Sequence, residues 1–116
     1  MRPLLMKSVS LKENMPSVTE ALSRLHTELN AARSEGYLLI KFIHGYGSTG
    51  VGGEIRIAVQ KQLRKMTDDG QIRGCIFGEN WSKSDQETWK LIGIHPELKH
   101  DHDLGRRNLG VTVVVL

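Results

Sequence analysis

The chain has 116 residues, a single cysteine and a formal net charge of +3 at pH 7. This length fits one domain with its own core, so we expect a single domain over residues 1–116. One cysteine excludes an intramolecular disulfide and any cysteine-based metal cluster. The sequence contains no apolar run of the length that a membrane span or a signal peptide needs, which predicts a cytoplasmic protein.

The first two elements are predicted from alternation and from capping residues. Polar and apolar residues alternate from Lys7 to Leu11, as in a half-buried strand with Val9 and Leu11 on one face. A helix follows, with Ser17 as its N-cap and Glu20 completing a capping box. It should end at Gly36, because a helix C-terminus favours a left-handed residue. The predicted buried stripe comprises Val18, Ala21, Leu22, Leu25, Leu29 and Ala32.

A glycine-rich segment then lies between a predicted strand and a predicted helix. The strand covers residues 37–43, and the helix covers residues 54–65 and stops at Gly70. Residues 44–53, called the glycine segment here, hold five of the twelve glycines. A glycine turn between strand and helix lets backbone N–H groups converge where the helix dipole favours an anion. With His44 and the cations of the helix, this predicts a phosphate-facing site; the alternative is a flexible connecting turn.

Two more strands and a polar insert complete the chain. Residues 72–77 are a predicted strand in which Cys75 is a small core residue. The β-branched run over residues 110–116 is the last strand. Between them lies a polar insert (about residues 79–107) with a short helix near Ser84–Ile92. We expect Trp81 and Trp89 to anchor this insert onto the domain, the alternative being that they stack on bases.

The order of the elements predicts an α/β fold, or an α+β sandwich, of the form β-α-β-α-β-(insert)-β. We expect a mixed four-stranded sheet with two helices packed on one face. The other face of the sheet should stay partly open. Strand order does not follow from the sequence.

Charge is segregated along the chain. Residues 79–103 contain six carboxylates and three lysines, a local balance of −3, so the remainder sums to +6. The positively charged part of the chain includes the glycine segment and the helix after it. On that helix Arg56, Gln60 and Arg64 share one face, and Lys61 and Lys65 form a neighbouring row. The acidic insert should project away from this surface or partly cover it as a gate.

Other motif readings are weaker. The sequence Gly-x-Gly-x-x-Gly begins at Gly45, but a dinucleotide site also wants an acidic residue about twenty positions on, and Glu79 is farther away. No Gly-Lys-Ser/Thr ends the segment, which excludes a Walker-type phosphate loop. His95, His100 and His102, with Asp101 and Asp103, could suggest a metal site; we expect solvated loop residues and no metal.

A His-Gly-x-Gly motif opens the glycine segment, and an Ile-Arg-x-x-Val-x-x-x-Leu pattern from Ile55 to Leu63 follows it. With the capped first helix and the β-branched ending, these residues resemble the Smr (small MutS-related) domain family. The segment from Leu11 to Pro16 is similar to one in small, stand-alone Smr-like proteins. The resemblance implies a nucleic-acid-binding fold similar to the C-terminal domain of bacterial translation initiation factor three. Some Smr domains nick DNA or cleave RNA.

The chain departs from the cleaving Smr domains at the end of its first strand. Those relatives carry Leu-Asp-x-His-Gly there, whereas this chain has Leu11-Lys12-Glu13-Asn14-Met15. Phosphodiester cleavage needs groups that take and give protons, and the Asp and His are absent. The candidate catalytic residues are therefore only His44 and Glu13, with a divalent metal as a cofactor if the protein is a nuclease and no cofactor otherwise.

The resulting prediction is a domain that binds DNA or RNA through phosphate contacts, with a function in DNA repair or recombination or in RNA and ribosome quality control. The alternatives are a residual endonuclease and a protein-interaction module that docks on a protein or ribosome partner. The predicted nucleic-acid-binding residues are His44, Gly45, Tyr46, Gly47, Ser48, Gly50, Gly52, Gly53, Arg56, Gln60, Lys61 and Arg64. Arg106 and Arg107 would border the same surface.

Overall fold

The elements follow one another in the predicted order, with the insert between the third and fourth strands. A computed structural model describes residues 4–46 and 50–116, and the side chains of the second range from residue 53 onward. The strands and helices are β1 (Leu4–Ser10), α1 (Val18–Glu35), β2 (Tyr37–Ile43), α2 (Gly50–Asp68), β3 (Gly74–Phe77), α3 (Gln86–Ile94) and β4 (Val111–Val115).

The four strands form one mixed sheet in the order β1-β2-β4-β3. The outer strand β1 runs parallel to β2, as a crossover connection through α1 requires. Strand β4 runs antiparallel to both of its neighbours, β2 and β3. The predicted mixed four-stranded sheet is confirmed, and the two outer strands are β1 and β3.

Both ends of α1 are fixed by the predicted capping residues. The Ser17 hydroxyl accepts a hydrogen bond from the Glu20 N–H at 3.1 Å, and the Glu20 carboxylate accepts one from the Ser17 N–H at 3.2 Å. Gly36 ends the helix with a φ of 87°, the left-handed region in which a side chain is unfavourable. The capping box and the helix end are confirmed.

Helices α1 and α2 pack on one face of the sheet and enclose the main core. The central residues of the predicted α1 stripe are buried there, together with residues of α2 and of β2. Cys75 is partly buried against this core, in agreement with the prediction, and burial raises the pKa of its thiol. This core comprises Leu11, Ala21, Leu25, Leu29, Ala32, Ile40, Phe42, Ile55, Val59, Leu63, Met66, Ile72 and Val114.

Several element boundaries differ from the prediction. Strand β1 begins and ends earlier, so Leu11 lies beyond it, yet Leu11 is fully buried because the chain turns inward there. Strand β3 begins only at Gly74, although Ile72 is buried. Helix α2 begins at Gly50, inside the glycine segment. Glycine tolerates helical dihedral angles, so the helix extends back by four residues from the predicted start.

The expectation that the second face of the sheet stays open is wrong. The insert folds back over that face and builds a second core around the fully buried side chain of Trp81. Leu91 and Ile92 of α3 pack there against the sheet, as does Leu98. The apolar residues of the insert are spread over a loop, the short helix α3 and a 3-10 turn, so no single periodic pattern in the sequence reveals the second core. The predicted anchor role holds for Trp81; Trp89 is more than half exposed.

A buried lysine fixes the insert to the sheet. Lys41 of β2 donates hydrogen bonds to both oxygens of Asp101, at 2.7 and 2.8 Å, and to Asp103 at 2.8 Å. The Trp81 indole N–H donates to the same Asp101 carboxylate at 2.8 Å. Burial alone would raise the pKa of Asp103, but hydrogen bonds from Lys41 and Asn108 outweigh it and lower that pKa. Asp101 and Asp103 are therefore not the solvated loop residues that we expected.

Among the residues that the structure describes, no helix combines the length and the apolar character that a membrane crossing demands.

Candidate functional site

The glycine segment begins where β2 meets the start of β4. The N–H groups of His44 and Gly45 both donate to the carbonyl of Gly110, at 2.9 and 3.1 Å. A β-carbon on Gly110 would stand 3.2 Å from the backbone of Gly45 and of Tyr46, closer than most real contacts. Gly45 has a φ of 80°, which favours glycine. Close packing against β4 therefore sets the direction in which the segment leaves the sheet.

His44 is buried, and both of its ring nitrogens are engaged. Nδ1 lies 3.0 Å from the carbonyl of Gly45, and Nε2 lies 2.9 Å from the hydroxyl of Thr112 in β4. A carbonyl only accepts, so Nδ1 carries the proton and the Thr112 hydroxyl donates to Nε2. Burial lowers the pKa of His44. The neutral ring thus joins β2 to β4, and a proton transfer to substrate would first have to break one of these two bonds.

The residues of the glycine segment that were predicted to contact nucleic acid after His44 fall into three groups. Gly45 and the exposed Tyr46 continue directly from β2. Gly47 and Ser48 lie outside the described residues. Gly50, Gly52 and Gly53 belong to the first turn of α2, which contains no acidic residue. The backbone N–H groups of this turn have no partner within the helix by geometry, and the dipole makes the turn attractive to anions.

Arg56 lies between the glycine segment and the insert. Its guanidinium carbon is 5.9 Å from the centre of the Tyr46 ring. Its Nη2 is 3.9 Å from Oε2 of Glu79, a separation that allows an ion pair but not a hydrogen bond. Glu79 lies in a short 3-10 helix (Gly78–Asn80) directly after β3. The first turn of the insert thus borders the predicted phosphate surface, while the rest of the insert covers the far face of the sheet.

Three buried polar atoms of this region have no hydrogen-bond partner in the described structure. They are Nε of Arg56, Nε2 of Gln60 and Oε2 of Glu79. Arg56 and Gln60 are one helical turn apart on α2, so both donors lie on the side of the helix that faces Glu79. A buried donor without an acceptor costs about 1–3 kcal/mol, and native proteins keep few of them. Three such atoms in one place indicate a site prepared for a ligand or for ordered water.

The cations farther along α2 are accessible. Lys61, Arg64 and Lys65 are exposed. The Arg64 guanidinium lies over the Phe77 ring, with its carbon 4.8 Å from the ring centre. This contact holds Arg64 in place and leaves its N–H groups at the surface.

The structure brings together His44, Gly45, Tyr46, Arg56 and Gln60, with Lys61 and Arg64 on the next turns of the helix. Glu13 belongs to the turn between β1 and α1, where its carbonyl accepts a hydrogen bond from Arg24 at 3.0 Å and its side chain is exposed.

The carboxylate that the structure places against Arg56 is Glu79, which the prediction of site residues omitted. Its place directly after a strand is visible in the sequence, but its proximity to α2 depends on strand order. Among the described residues, no three His, Cys, Asp or Glu side chains are grouped as metal ligands.

The Smr domain of Thermus thermophilus MutS2 has a similar structure, with a TM-score of 0.58 and 24% sequence identity over 95% of this chain and 96% of that chain. The chain has the fold of an Smr domain. The Smr-like fold predicted from the His-Gly-x-Gly motif is therefore confirmed. No protein-family model matches the chain, and no curated protein matches it.

Proposed function

We propose that this protein binds nucleic acid, with the glycine segment and the first turns of α2 contacting phosphates. The observation that carries the proposal is a pair of buried donors, Nε of Arg56 and Nε2 of Gln60, that have no acceptor among the described residues and lie beside a helix whose first turn has no acidic residue. A phosphate oxygen accepts hydrogen bonds from such donors, and its charge is favoured at a helix N-terminus.

The exposed cations extend this phosphate site into a surface. Lys61 and Arg64 follow Arg56 along α2, so a nucleic-acid backbone could meet successive positive charges. Glu79 competes with phosphate for Arg56, which limits the affinity at that contact. Contacts of this kind hold the backbone and do not read the bases, so we expect little sequence preference.

Binding without efficient cleavage is the form of this function that the geometry supports best. His44 is neutral and internally bonded, and Glu13 is exposed on another turn. A single positioned acid or base contributes only about 10²–10⁴-fold to a rate. The Smr resemblance supports nucleic acid as the ligand class. The proposal includes a function in DNA repair or recombination, or in RNA and ribosome quality control, in the cytoplasm.

The salt dependence of binding tests this proposal. Each phosphate contact on duplex DNA contributes about 0.9 to the slope of log affinity against log salt concentration. The double variant Lys61→Ala with Arg64→Ala should therefore lower the slope by about 1.8 and weaken binding similarly for unrelated sequences. Fluorescence anisotropy with labelled duplex and single-stranded DNA and RNA, at several salt concentrations, measures both quantities.

The matched control removes two lysines from the insert, in Lys83→Ala with Lys99→Ala. Both are exposed, so the net charge falls equally while α2 stays intact. We expect the slope of this control to stay close to that of the original protein. Equal slopes in the two double variants would contradict the proposed surface, and so would the absence of binding to every probe at low salt.

A further inference from the structure

Strand β3 is an outer strand of the sheet, and no strand among the described residues pairs with its outer edge. The other outer strand, β1, carries Lys7 paired with Glu28 and Glu35, and charged residues of this kind discourage further strand pairing. Strand β3 has the sequence Gly-Cys-Ile-Phe and carries no charge. The edge of β3 is therefore the one to which another strand could be added.

The register of the sheet identifies the backbone groups on this edge. In an antiparallel pair, bonded residues alternate along each strand. The bonds from His44 N–H to the Gly110 carbonyl and from Leu116 N–H to the Leu38 carbonyl show that even-numbered residues of β4 bond to β2. The odd-numbered residues of β4 therefore bond to β3, at Gly74 and Ile76.

The N–H and C=O groups of Cys75 and Phe77 point the opposite way, towards the outer edge. Within residues 4–46 and 53–116, and apart from bonds inside regular helices and strands, the Cys75 N–H, the Cys75 C=O and the Phe77 N–H form no hydrogen bond. The Phe77 C=O is the N-cap carbonyl of the 3-10 helix Gly78–Asn80. The hydrogen-bonding groups along a strand edge are spaced like those of another extended backbone. An added strand therefore satisfies them better than side chains can.

A groove of about 720 Å³ runs along this edge between two helices. One wall is the C-terminal half of α2, with Arg64, Thr67 and Asp68, and the other wall is α3, with Leu91 and Ile94. Ile94 is 70% exposed, an unusual state for an isoleucine beside a groove. We call this space the β3 groove.

The two walls differ in chemistry, and each would meet alternate side chains of an added strand. Cys75 and Phe77 face the α2 wall, where the Thr67 hydroxyl lies 3.8 Å from the sulfur of Cys75 and Arg64 covers the Phe77 ring. Ile76 faces the opposite way, towards the core that includes Leu91. A residue opposite Ile76 would therefore meet Leu91 and Ile94, which lie on the α3 wall beside the charged Glu87 and Lys90, and its neighbours would meet the polar α2 wall.

We propose that the β3 groove binds an extended segment of a partner protein as a fifth strand of the sheet. The fitting segment has an acidic residue opposite Phe77, near Arg64, and an apolar residue opposite Ile76, near Ile94. A hydroxyl residue fits opposite Cys75, where Thr67 and Asp68 line the wall. Main-chain bonds to Cys75 and Phe77 supply affinity, and the alternating walls supply selectivity.

Other occupants fit less well. Three carboxylates (Asp68, Asp85 and Glu87) and three cations (Arg64, Arg73 and Lys90) line the same groove, so it lacks the excess of positive charge that a nucleic-acid backbone favours. A second copy of the chain would have to bring its own helical layers between α2 and α3, where a single strand fits. The peptide surface shares Arg64 with the proposed phosphate surface, so variants that test this inference leave Arg64 unchanged.

Selection from a displayed library of random octapeptides tests the proposal with the full chain as bait. We expect enriched peptides to alternate acidic, apolar and hydroxyl residues. Synthetic copies should bind the Ile94→Lys variant at least about tenfold more weakly, because the lysine replaces an apolar contact at the groove. The control is Ile57→Lys, since Ile57 is 62% exposed on α2 and does not line the groove.

Hydrogen exchange then separates strand addition from any other contact. The amides of Cys75 and Phe77 should exchange more slowly when the selected peptide is bound, whereas those of Gly74 and Ile76 are already bonded to β4. No enriched peptide, equal binding to the Ile94→Lys and Ile57→Lys variants, or unchanged exchange at Cys75 and Phe77 would overturn the proposal. A dimer that Ile94→Lys dissociates would overturn it in favour of a second copy.

Discussion

Replacing Lys41 with methionine tests how the insert is attached to the sheet. The Lys41 side chain is only 5% exposed, and its two partners, Asp101 and Asp103, are 11% and 14% exposed. Methionine keeps most of the length and the apolar character of the stem but removes the charged group. Two carboxylates then face each other beneath the insert without a cation, and Asp101 keeps only its bonds from Trp81 and from the Asp103 N–H.

Breaking a buried ion pair by removing one partner costs about 3–5 kcal/mol. Because Asp101 and Asp103 retain slight exposure, we expect the lower end, about 3 kcal/mol. For a chain of this length each kcal/mol lowers the melting temperature by about 4 °C, so a decrease of about 12 °C is expected. The domain should remain folded, since such domains are stable by about 5–15 kcal/mol.

Urea unfolding followed by tryptophan fluorescence and by circular dichroism measures this loss. The control Lys61→Met changes an exposed lysine and should alter the free energy of unfolding by less than about 0.5 kcal/mol. Adding Asp101→Asn and Asp103→Asn to Lys41→Met removes every charge of the cluster and should restore most of the loss. A loss below about 1 kcal/mol for Lys41→Met alone would refute the reasoning that the cluster is desolvated and structural.

Two further predictions concern packing and pH. Gly78→Ala should destabilise the domain severely, because the added β-carbon would stand 1.7 Å from the carbonyl oxygen of Asn108. The control is Gly74→Ala, whose β-carbon would meet nothing within 4 Å. Thermal unfolding compares the two variants, and similar melting temperatures would contradict the close approach at Gly78. His44 has a folded-state pKa below its ordinary value of 6.5, so the unfolded chain binds more protons and stability should decline as the pH falls below about 6.5. Urea titrations between pH 7.5 and 5 should show this decline in the original protein and not in His44→Gln; equal slopes would contradict a buried neutral ring.

Local signals in the sequence predicted α1 and β2 well. The capping box of Ser17 and Glu20, the left-handed Gly36 and the apolar stripe depend on residues a few positions apart, and the structure has all of them. The boundaries of β2 agree because a run of apolar residues marks a central strand. The start of α2 was less predictable, since glycine is compatible with both loop and helix.

The candidate site was predicted in part, because several of its residues are also brought together by short-range structure. His44, Gly45 and Tyr46 follow β2 directly, and Arg56 and Gln60 share a helix face, so their proximity depends only on neighbouring elements. Glu79 directly follows β3, an outer strand of the sheet, so its contact with Arg56 of α2 depends on the tertiary structure. Burial of His44 likewise depends on Thr112, which is 68 residues away in the chain.

By itself the sequence determined the order of elements, the caps and the position of the glycine segment after β2. These are properties of short-range dihedral preference and of hydrophobic periodicity, both of which act within a few turns. The Smr-like fold was predicted from the resemblance of the glycine motif to a known family. The tertiary structure alone decided that the insert closes the second face of the sheet through Trp81, that Lys41 joins Asp101 and Asp103, and that β3 ends as an open edge. These features depend on which segments, distant in the sequence, become neighbours in the fold. Their contacts contribute to stability only after the strands have taken their order in the sheet.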